Sequence, residues 1–286
     1  MIPLDQNKLN FKSGLYVVST PIGNLMDITL NAIEILKNSD LILCEDTRIS
    51  KKVLERHNIN NKSLLAYHKF SEKKSLGKII QLLENKKKVS IISDAGTPCI
   101  SDPGNILINE CVDRDISIYS IPGPSSVVSA VSISGFSDKF IFYGFFPEKT
   151  KDIKKDLEIL SKLNLTLVFF ISAKKFKKNS IYLEKYFSDR KILICKELTK
   201  MYEQHFRLNI SKINEFNTEL RGEITLVISQ KFKNESENKL NEQDKKKIKK
   251  LMKKLSIKDI VTEIKKNKDI AKKEIYNYCL KLKNEK

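Results

Sequence analysis

The sequence predicts an α/β protein of two lobes followed by a small helical C-terminal extension. Three observations predict it. Short apolar, β-branched runs alternate with helical patterns in the first half; the second half repeats the theme with fewer turn residues; the last fifth is lysine-rich with helical spacing. In the first half, Leu15 to Ser19, Leu41 to Cys44, Val89 to Ser93 and Ile116 to Ile121 are short enough for buried strands. Between them, Asp27 is placed to cap a helix through Leu30, Ile33 and Leu36, and Leu76, Ile79, Ile80 and Leu83 repeat at helical spacing. Strand–helix alternation of this kind indicates a largely parallel sheet. The second half offers strands at Phe140 to Tyr143, Leu165 to Ile171, Ile192 to Cys195 and Ile224 to Ile228, with helices near Lys151 to Lys162 and Phe176 to Phe187. The expected divisions are an N-terminal α/β lobe over 1–121, a C-terminal α/β lobe over 122–232, and a basic helical tail over 233–286, joined by a polar linker near Asn234 to Asp244. In the tail, Ser256 with Asp259 makes a capping box before Ile257, Ile260, Val261 and Ile264, and Asp269 precedes a helix carrying Ile275, Tyr278 and Cys279.

Composition narrows the function. The longest uncharged apolar run lies within Leu165 to Ala173, far short of the roughly 20 residues that span a bilayer, and the opening residues carry no secretory pattern, so a cytoplasmic protein is expected. The five cysteines are scattered without C-x-x-C spacing and the three histidines are far apart, which argues against disulfides and against a metal site. The formal net charge is +18, and +10 of it falls between Lys231 and Lys286, where 19 Lys face 9 Asp and Glu. A lysine excess also decorates ordinary solvated faces, but its concentration in the tail favours a polyanionic partner such as RNA.

In open parallel sheets, ligands gather at the carboxyl ends of the strands. Here those ends are followed by Ser19-Thr-Pro-Ile-Gly-Asn24, Glu45-Asp-Thr-Arg48, Ser93-Asp-Ala-Gly-Thr-Pro-Cys-Ile-Ser-Asp-Pro-Gly104 and Pro122-Gly-Pro-Ser-Ser126. Any one of these is ordinary turn chemistry; four in succession favour a site for a compact zwitterionic ligand. Gly96 and Gly123 let the backbone approach closely, prolines stiffen the loops, and Ser101, Ser125 and Ser126 add hydroxyls, the last two at a helix start where a carboxylate is welcome. No G-x-x-x-x-G-K-[ST], G-x-G-x-x-G or G-x-S-x-G is present, which removes the P-loop, the common dinucleotide fingerprint and the hydrolase elbow.

These loops, with Gly144-Phe-Phe-Pro147, Lys196-Glu-Leu-Thr-Lys200 and Arg221-Gly-Glu223, resemble the tetrapyrrole-methylase superfamily, and within it the family of small-subunit ribosomal RNA methyltransferases that act on a cytidine 2′-oxygen of 16S rRNA. The resemblance runs in order from residue 14 to about 230. It implies a class III methyltransferase fold of two α/β lobes, S-adenosylmethionine in the cleft between them, 16S rRNA of the 30S subunit as substrate, and a homodimer. It places Pro21, Asp94, Gly96, Pro98, Ile100, Ser101, Ser125 and Ser126 around the cofactor, with Leu198 and Thr225 from the second lobe. One stretch departs from the pattern: where the family commonly reads Phe-Tyr-Glu-Ser-Pro-His-Arg, this chain has Phe169-Phe-Ile-Ser-Ala-Lys-Lys175.

A sulfonium methyl is already activated, so the residues expected to matter are those that align the attacking hydroxyl and accept its proton. Glu45, Asp46 and Glu197 are the candidate bases. Arg48 and Lys200 are the candidate phosphate contacts, against the alternative of plain Asp46–Arg48 and Glu197–Lys200 ion pairs. Phe145 and Phe146 are candidate stacking platforms for a splayed base, or core residues. The rival readings are a tetrapyrrole- or protein-directed methyltransferase, which the basic tail and Glu45-Asp-Thr-Arg48 disfavour, and a non-catalytic RNA-binding ribosome-assembly factor.

Overall fold

A computed structural model describes residues 11–231, 240, 242–267 and 270–284. The chain divides into two compact units, residues 1–230 and 231–286. The first unit is built on two five-stranded sheets.

The first sheet contains β1 (Gly14–Val18), β2 (Leu41–Cys44), β3 (Leu64–Ala66), β4 (Lys88–Ile92) and β5 (Ile118–Ile121), ordered β3-β2-β4-β1-β5 and parallel throughout. Parallel strands covered on both faces read as unbroken apolar runs, which is why β1, β2 and β4 are legible in the sequence. Val18, Ile42, Cys44 and Ile92 face α1 (Leu30–Asn38) and α2 (Thr47–Arg56). Leu15, Leu43, Val89 and Ile91 face α3 (Glu72–Glu84) and α4 (Asn105–Asp113) on the other side. One expectation needs correcting: Asp27 does not cap α1. It ends a short 3-10 turn, and Thr29 Oγ1 accepts from Ala32 N–H at 3.1 Å, because only the residue one step outside the helix can reach the third amide.

A short helix, α5 (Ser126–Ser132), joins this sheet to the second and packs on its β10 strand. The second sheet comprises β6 (Phe140–Phe145), β7 (Thr166–Ser172), β8 (Lys191–Lys196), β9 (Gln204–Asn209) and β10 (Glu223–Ile228), in the order β6-β7-β10-β8-β9. Only the β6–β7 pair is parallel. Strict alternation splits its strands. Leu167, Phe169, Ile171, Ile194 and Leu226 bury against α6 (Thr150–Lys162) and α7 (Ala173–Phe187), while Val168, Leu193, Cys195 and Val227 point the other way, toward Val127 and Ala130 of α5 and Ile22 of the first lobe. The two lobes therefore share one apolar seam. The register of β6 against β7 slips between Phe142 and Gly144. An extra residue in a strand reverses the facing of those beyond it, so Phe146 turns into the core beside Phe169 and Phe145 emerges 61% exposed beside Phe170. Of the two sequence-proposed platforms, Phe146 is thus a core residue.

Residues 231–286 form a unit with its own core. α8 (Glu242–Leu251), α9 (Ile257–Asn267) and α10 (Lys272–Asn284) bury Ile248, Ile260, Ile264, Ile275 and Cys279 together. Ser256 Oγ accepts from Asp259 N–H at 3.3 Å and donates to its carboxylate at 2.6 Å, the expected capping pair. Asp269 and most of the expected linker lie outside the described residues. No helix among the described residues is long and apolar enough to cross a membrane.

Candidate active site

The four loops at the carboxyl ends of β1, β2, β4 and β5 are braced against one another. Thr20 and Gly96 exchange backbone hydrogen bonds, Thr20 N–H to Gly96 O at 2.8 Å and Gly96 N–H to Thr20 O at 3.1 Å, with Gly96 at φ +81° where a side chain would be strained. Thr20 Oγ1 donates to Ser93 O at 3.0 Å. The hydroxyls of Ser19 and Thr97 meet at 2.9 Å, and Thr97 Oγ1 reaches Pro124 O at 3.4 Å. Asp46 N–H donates to Asp94 Oδ1 at 3.0 Å, tying the β2 loop to the β4 loop. A Cβ added at Gly123 would sit 2.8 Å from Ser19 Cβ, so only glycine lets the β5 loop lie this close.

The second lobe completes the enclosure through the turn after β8. Glu197 and Thr199 both adopt positive φ, +53° and +62°, costly for residues with a Cβ and rare for a β-branched one. Side chains hold the turn in that shape. Glu197 Oε1 accepts from Glu223 N–H at 2.9 Å and from Lys200 Nζ at 3.1 Å, and Lys200 Nζ also donates to Glu223 Oε2 at 2.7 Å. Across the lobes, Asn24 N–H donates to Thr199 Oγ1 at 3.0 Å.

Between the lobes lies a cavity of ≈ 380 Å³, within the range of small-ligand sites. Its first-lobe wall is Ile22, Glu45, Asp94 to Thr97, Ile100 and Asp102; Ser125, which caps α5, and Ser126 and Val127 of α5 add a second side. Phe145, Phe170, Ile171, Ser172, Cys195, Leu198, Lys200 and Gly222 to Thr225 close it from the second lobe. Of the residues singled out in the sequence, Glu45, Lys200, Asp94, Gly96, Ile100, Ser125, Ser126, Leu198 and Thr225 come together on this wall. Pro21, Pro98 and Ser101 lie in the wall-forming loops without lining the cavity, and Asp46, Arg48 and Glu197 do not line it either.

The electrostatics separate these carboxylates. Asp46 caps α2 through Arg48 N–H at 2.8 Å and binds the Arg48 guanidinium twice, at 3.0 and 2.6 Å, which holds its carboxyl down to about 2. Burial pushes Glu197 up, but the Glu223 amide and Lys200 outweigh it and the net shift is downward. Both proposed ion pairs therefore exist, and a carboxylate so held is a poor proton acceptor. On the cavity wall the direction reverses. Burial, then the Asp94 charge, push Glu45 up against a smaller pull from His68; burial also raises Asp94, opposed by the Asp46 amide. Burial and the Glu45 charge push Asp102 up to about 6. Among the described residues no cluster of His, Cys, Asp or Glu is arranged to hold a metal ion.

Comparison with known proteins places this arrangement. The family described as Tetrapyrrole (Corrin/Porphyrin) Methylases matches residues 14–214. The ribosomal RNA small subunit methyltransferase I of Rickettsia prowazekii (strain Madrid E) is 46% identical over 221 residues, covering 76% of this chain and 79% of its own. This chain belongs to the ribosomal RNA small subunit methyltransferase I family. The family likeness extends through the helical unit: the Pasteurella multocida (strain Pm70) member is 33% identical over 277 residues, 95% of this chain and 98% of its own. Among solved structures, the uroporphyrin-III C-methyl transferase of Thermus thermophilus, complexed with S-adenyl homocysteine, shares the fold with a TM-score of 0.56 at 15% identity, over 76% of this chain and 97% of that one.

In this member of the family, the stretch that departs from the common pattern is part of the cavity: Ile171 and Ser172 line it, and Lys175 pairs with Glu148 away from it. Sequence reading missed Asp102, Phe170, Ser172, Gly222 and Glu223 as wall residues. For Asp102 the signal was present, a carboxylate in a glycine- and proline-rich strand-end loop. Gly222 and Glu223 lie in the Arg221-Gly-Glu223 motif, whereas Phe170 and Ser172 are set by the pairing of the second sheet, which no local pattern announces.

Proposed function

We propose that this chain transfers the methyl group of S-adenosylmethionine to the 2′-oxygen of a cytidine ribose in 16S rRNA of the small ribosomal subunit. The observation that carries the reading is the two-lobed cavity lined by Glu45, Asp94 and Asp102 in a chain of this family. The donor is a cation carrying an ammonium, a sulfonium and a carboxylate beside an apolar-faced base. Four wall carboxylates, Glu45, Asp94, Asp102 and Glu223, outnumber the single Lys200 and suit the cationic groups, and Ile22, Val127 and Leu198 supply apolar faces. When bound, S-adenosylmethionine supplies a methyl group that needs alignment rather than activation.

The residues of the chain do the rest. Asp94, Gly96 and the Ser125–Ser126 turn hold the donor from the first lobe, and Leu198 and Thr225 from the second. In this reading Lys200, bound to Glu197 and Glu223 on the cavity wall, meets an RNA phosphate. The 86% exposed Arg48 side chain is a further phosphate contact, outside the cavity. Phe145 stands at the cavity as a stacking platform. The hydroxyl proton goes to a wall carboxylate rather than to Asp46 or Glu197. In this reading the lobes divide at Pro122, the unit from residue 233 onward adds affinity for RNA through its lysines, and the enzyme works as a cytoplasmic homodimer. Incubating the protein with 30S subunits and labelled S-adenosylmethionine tests the assignment. Label recovered as a 2′-O-methylcytidine supports it; label on a base, or transfer to a porphyrin but not to rRNA, refutes it. Absence of donor binding in a calorimetric titration would identify a non-catalytic assembly factor instead.

A further inference from the structure

Of the four carboxylates on the cavity wall, Glu223 is paired with Lys200 at 2.7 Å and Asp94 is a brace, which leaves Glu45 and Asp102 to take a proton, and one of these is held far more firmly. Asp94 is committed as a brace, accepting from the Asp46 amide at 3.0 Å. Glu45 leads into α2 from the end of β2. Asp102 sits in a segment with almost no conformational freedom: Cys99 and Ser101 both adopt φ +67°, Pro103 follows, and Gly104 at φ +137° has its amide bound to Glu72 Oε1 at 2.8 Å. A Cβ added at Gly104 would lie 2.3 Å from Cys99 Sγ, so the loop is also packed shut from behind. Strained, over-determined backbone is where reacting groups are commonly held.

We propose that Asp102 takes the proton of the attacking ribose 2′-hydroxyl, and that Glu45 beside it is a positioning residue. The inference rests on the ribose-methyltransferase reading of the chain. In the step, the hydroxyl O–H bond breaks and its proton passes to an Asp102 carboxylate oxygen. The oxygen forms its bond to the methyl carbon as the carbon–sulfur bond breaks. That electron pair stays on sulfur, which becomes a neutral thioether, and Asp102 later releases the proton to water. A base is most effective when its pKa lies near the working pH. Burial and Glu45 raise Asp102 to about 6, with Ser93 opposing and Asp94 adding. The other groups on this side are Cys99, itself pushed to about 11 by burial and Asp102, with Glu72 behind it and His68 near Glu45. Lys200 and Glu223 line the wall from the second lobe. An ionised Asp102 at neutral pH therefore retains more proton affinity than Asp46, and it lines the cavity where Glu197 does not.

The test uses the full-length protein, 30S subunits and single-turnover methyl transfer between pH 5 and 9, with donor affinity measured separately by calorimetry. For the native enzyme, kcat/KM should rise about tenfold per pH unit below about 6 and then level. Asp102→Asn should lose about 10²–10⁴-fold in rate at pH 8 and lose that rising limb, with donor affinity falling far less than the rate. Glu45→Gln should retain a rising limb but shift it to lower pH, because a neighbouring negative charge has gone. Asp102→Glu should restore part of the rate and the limb. A flat native profile, an Asp102→Asn rate within threefold of native, or a rate loss matched by an equal loss of donor affinity would overturn the assignment. Should the native enzyme leave 30S ribose unmethylated, it is the functional reading that fails, and the native control reports that separately.

Discussion

Replacing Gly222 by alanine should damage both stability and donor binding, and the structure sets the scale. Gly222 adopts φ +83°, where an L-residue costs about 1–2 kcal/mol. The new Cβ would lie 2.4 Å from Glu197 Oε1, 2.5 Å from its Cδ and 2.9 Å from its Cγ. That carboxylate cannot swing away freely, since it accepts from Glu223 N–H and from Lys200 Nζ while its own backbone is at φ +53°. Displacing it forfeits hydrogen bonds worth about 1–3 kcal/mol where the remaining groups are left unpaired. The sum is about 2–5 kcal/mol. Gly77 supplies the control: it lies inside α3 with nothing within 4 Å of an added Cβ, so alanine there should stabilise by about 0.5–1 kcal/mol. With no tryptophan in the chain, urea denaturation is followed by circular dichroism. Gly222→Ala should lower the midpoint at unchanged slope and weaken donor binding tenfold or more, because Gly222 and Lys200 both line the cavity. A cost below about 0.5 kcal/mol, or donor affinity unchanged, would show that the Glu197–Lys200 turn does not shape the site.

Three further outcomes are expected. Arg190 is 1% exposed, and its guanidinium donates to the carbonyls of Ser161, Leu163, Leu165 and Ser229, joining the ends of three elements; Arg190→Met should cost about 2–5 kcal/mol by denaturant melt without a specific loss of donor affinity. Asp102 is raised in the folded state, so its ionisation opposes folding: the penalty is absent below about pH 4 and complete above about pH 6. Asp102→Asn should therefore stabilise by about 1–2 kcal/mol at pH 8, allowing for solvent screening, and by little at pH 4, as melts at the two pH values would show. Removing residues 234–286 takes away most of the +10 charge carried by 231–286. RNA affinity should fall and the slope of log K against log salt become shallower by about 2, whereas an unchanged slope would mean the tail touches no phosphate.

What was legible in the sequence divides along physical lines. Central strands such as β4 announce themselves because both faces are buried and the apolar run is continuous. The edge strands β3 and β9 do not. Leu64–Ala66 spans only three residues, and Gln204–Asn209 alternates exposed polar with half-buried residues, much as a loop does. The capping of α1 was misplaced because Asp27 and Thr29 are chemically alike, and the choice depends on which oxygen reaches the Ala32 amide. The glycine and proline loops were readable because turn chemistry is local. Phe145 and Phe146 were not separable because their facing depends on a register slip at Tyr143, a property of two strands rather than one.

The same distinction bears on how the site works. The groups on the first-lobe wall are fixed by local constraint: positive φ at Gly96 and Ser101, a reciprocal backbone bridge, and a glycine at 123 where no side chain fits. Such loops have little order left to lose when a ligand arrives, so binding energy goes into contacts rather than into organising the protein. The second-lobe wall is held instead by Glu197, Glu223 and Lys200, side chains whose bonds can be exchanged for bonds to a substrate. A cavity with four carboxylates, Glu45, Asp94, Asp102 and Glu223, and a single lysine favours a cationic donor over the neutral thioether left after transfer. The charge that draws the donor in thereby weakens the hold on the product, and the loss of one positive charge in the reaction itself provides the drive for release.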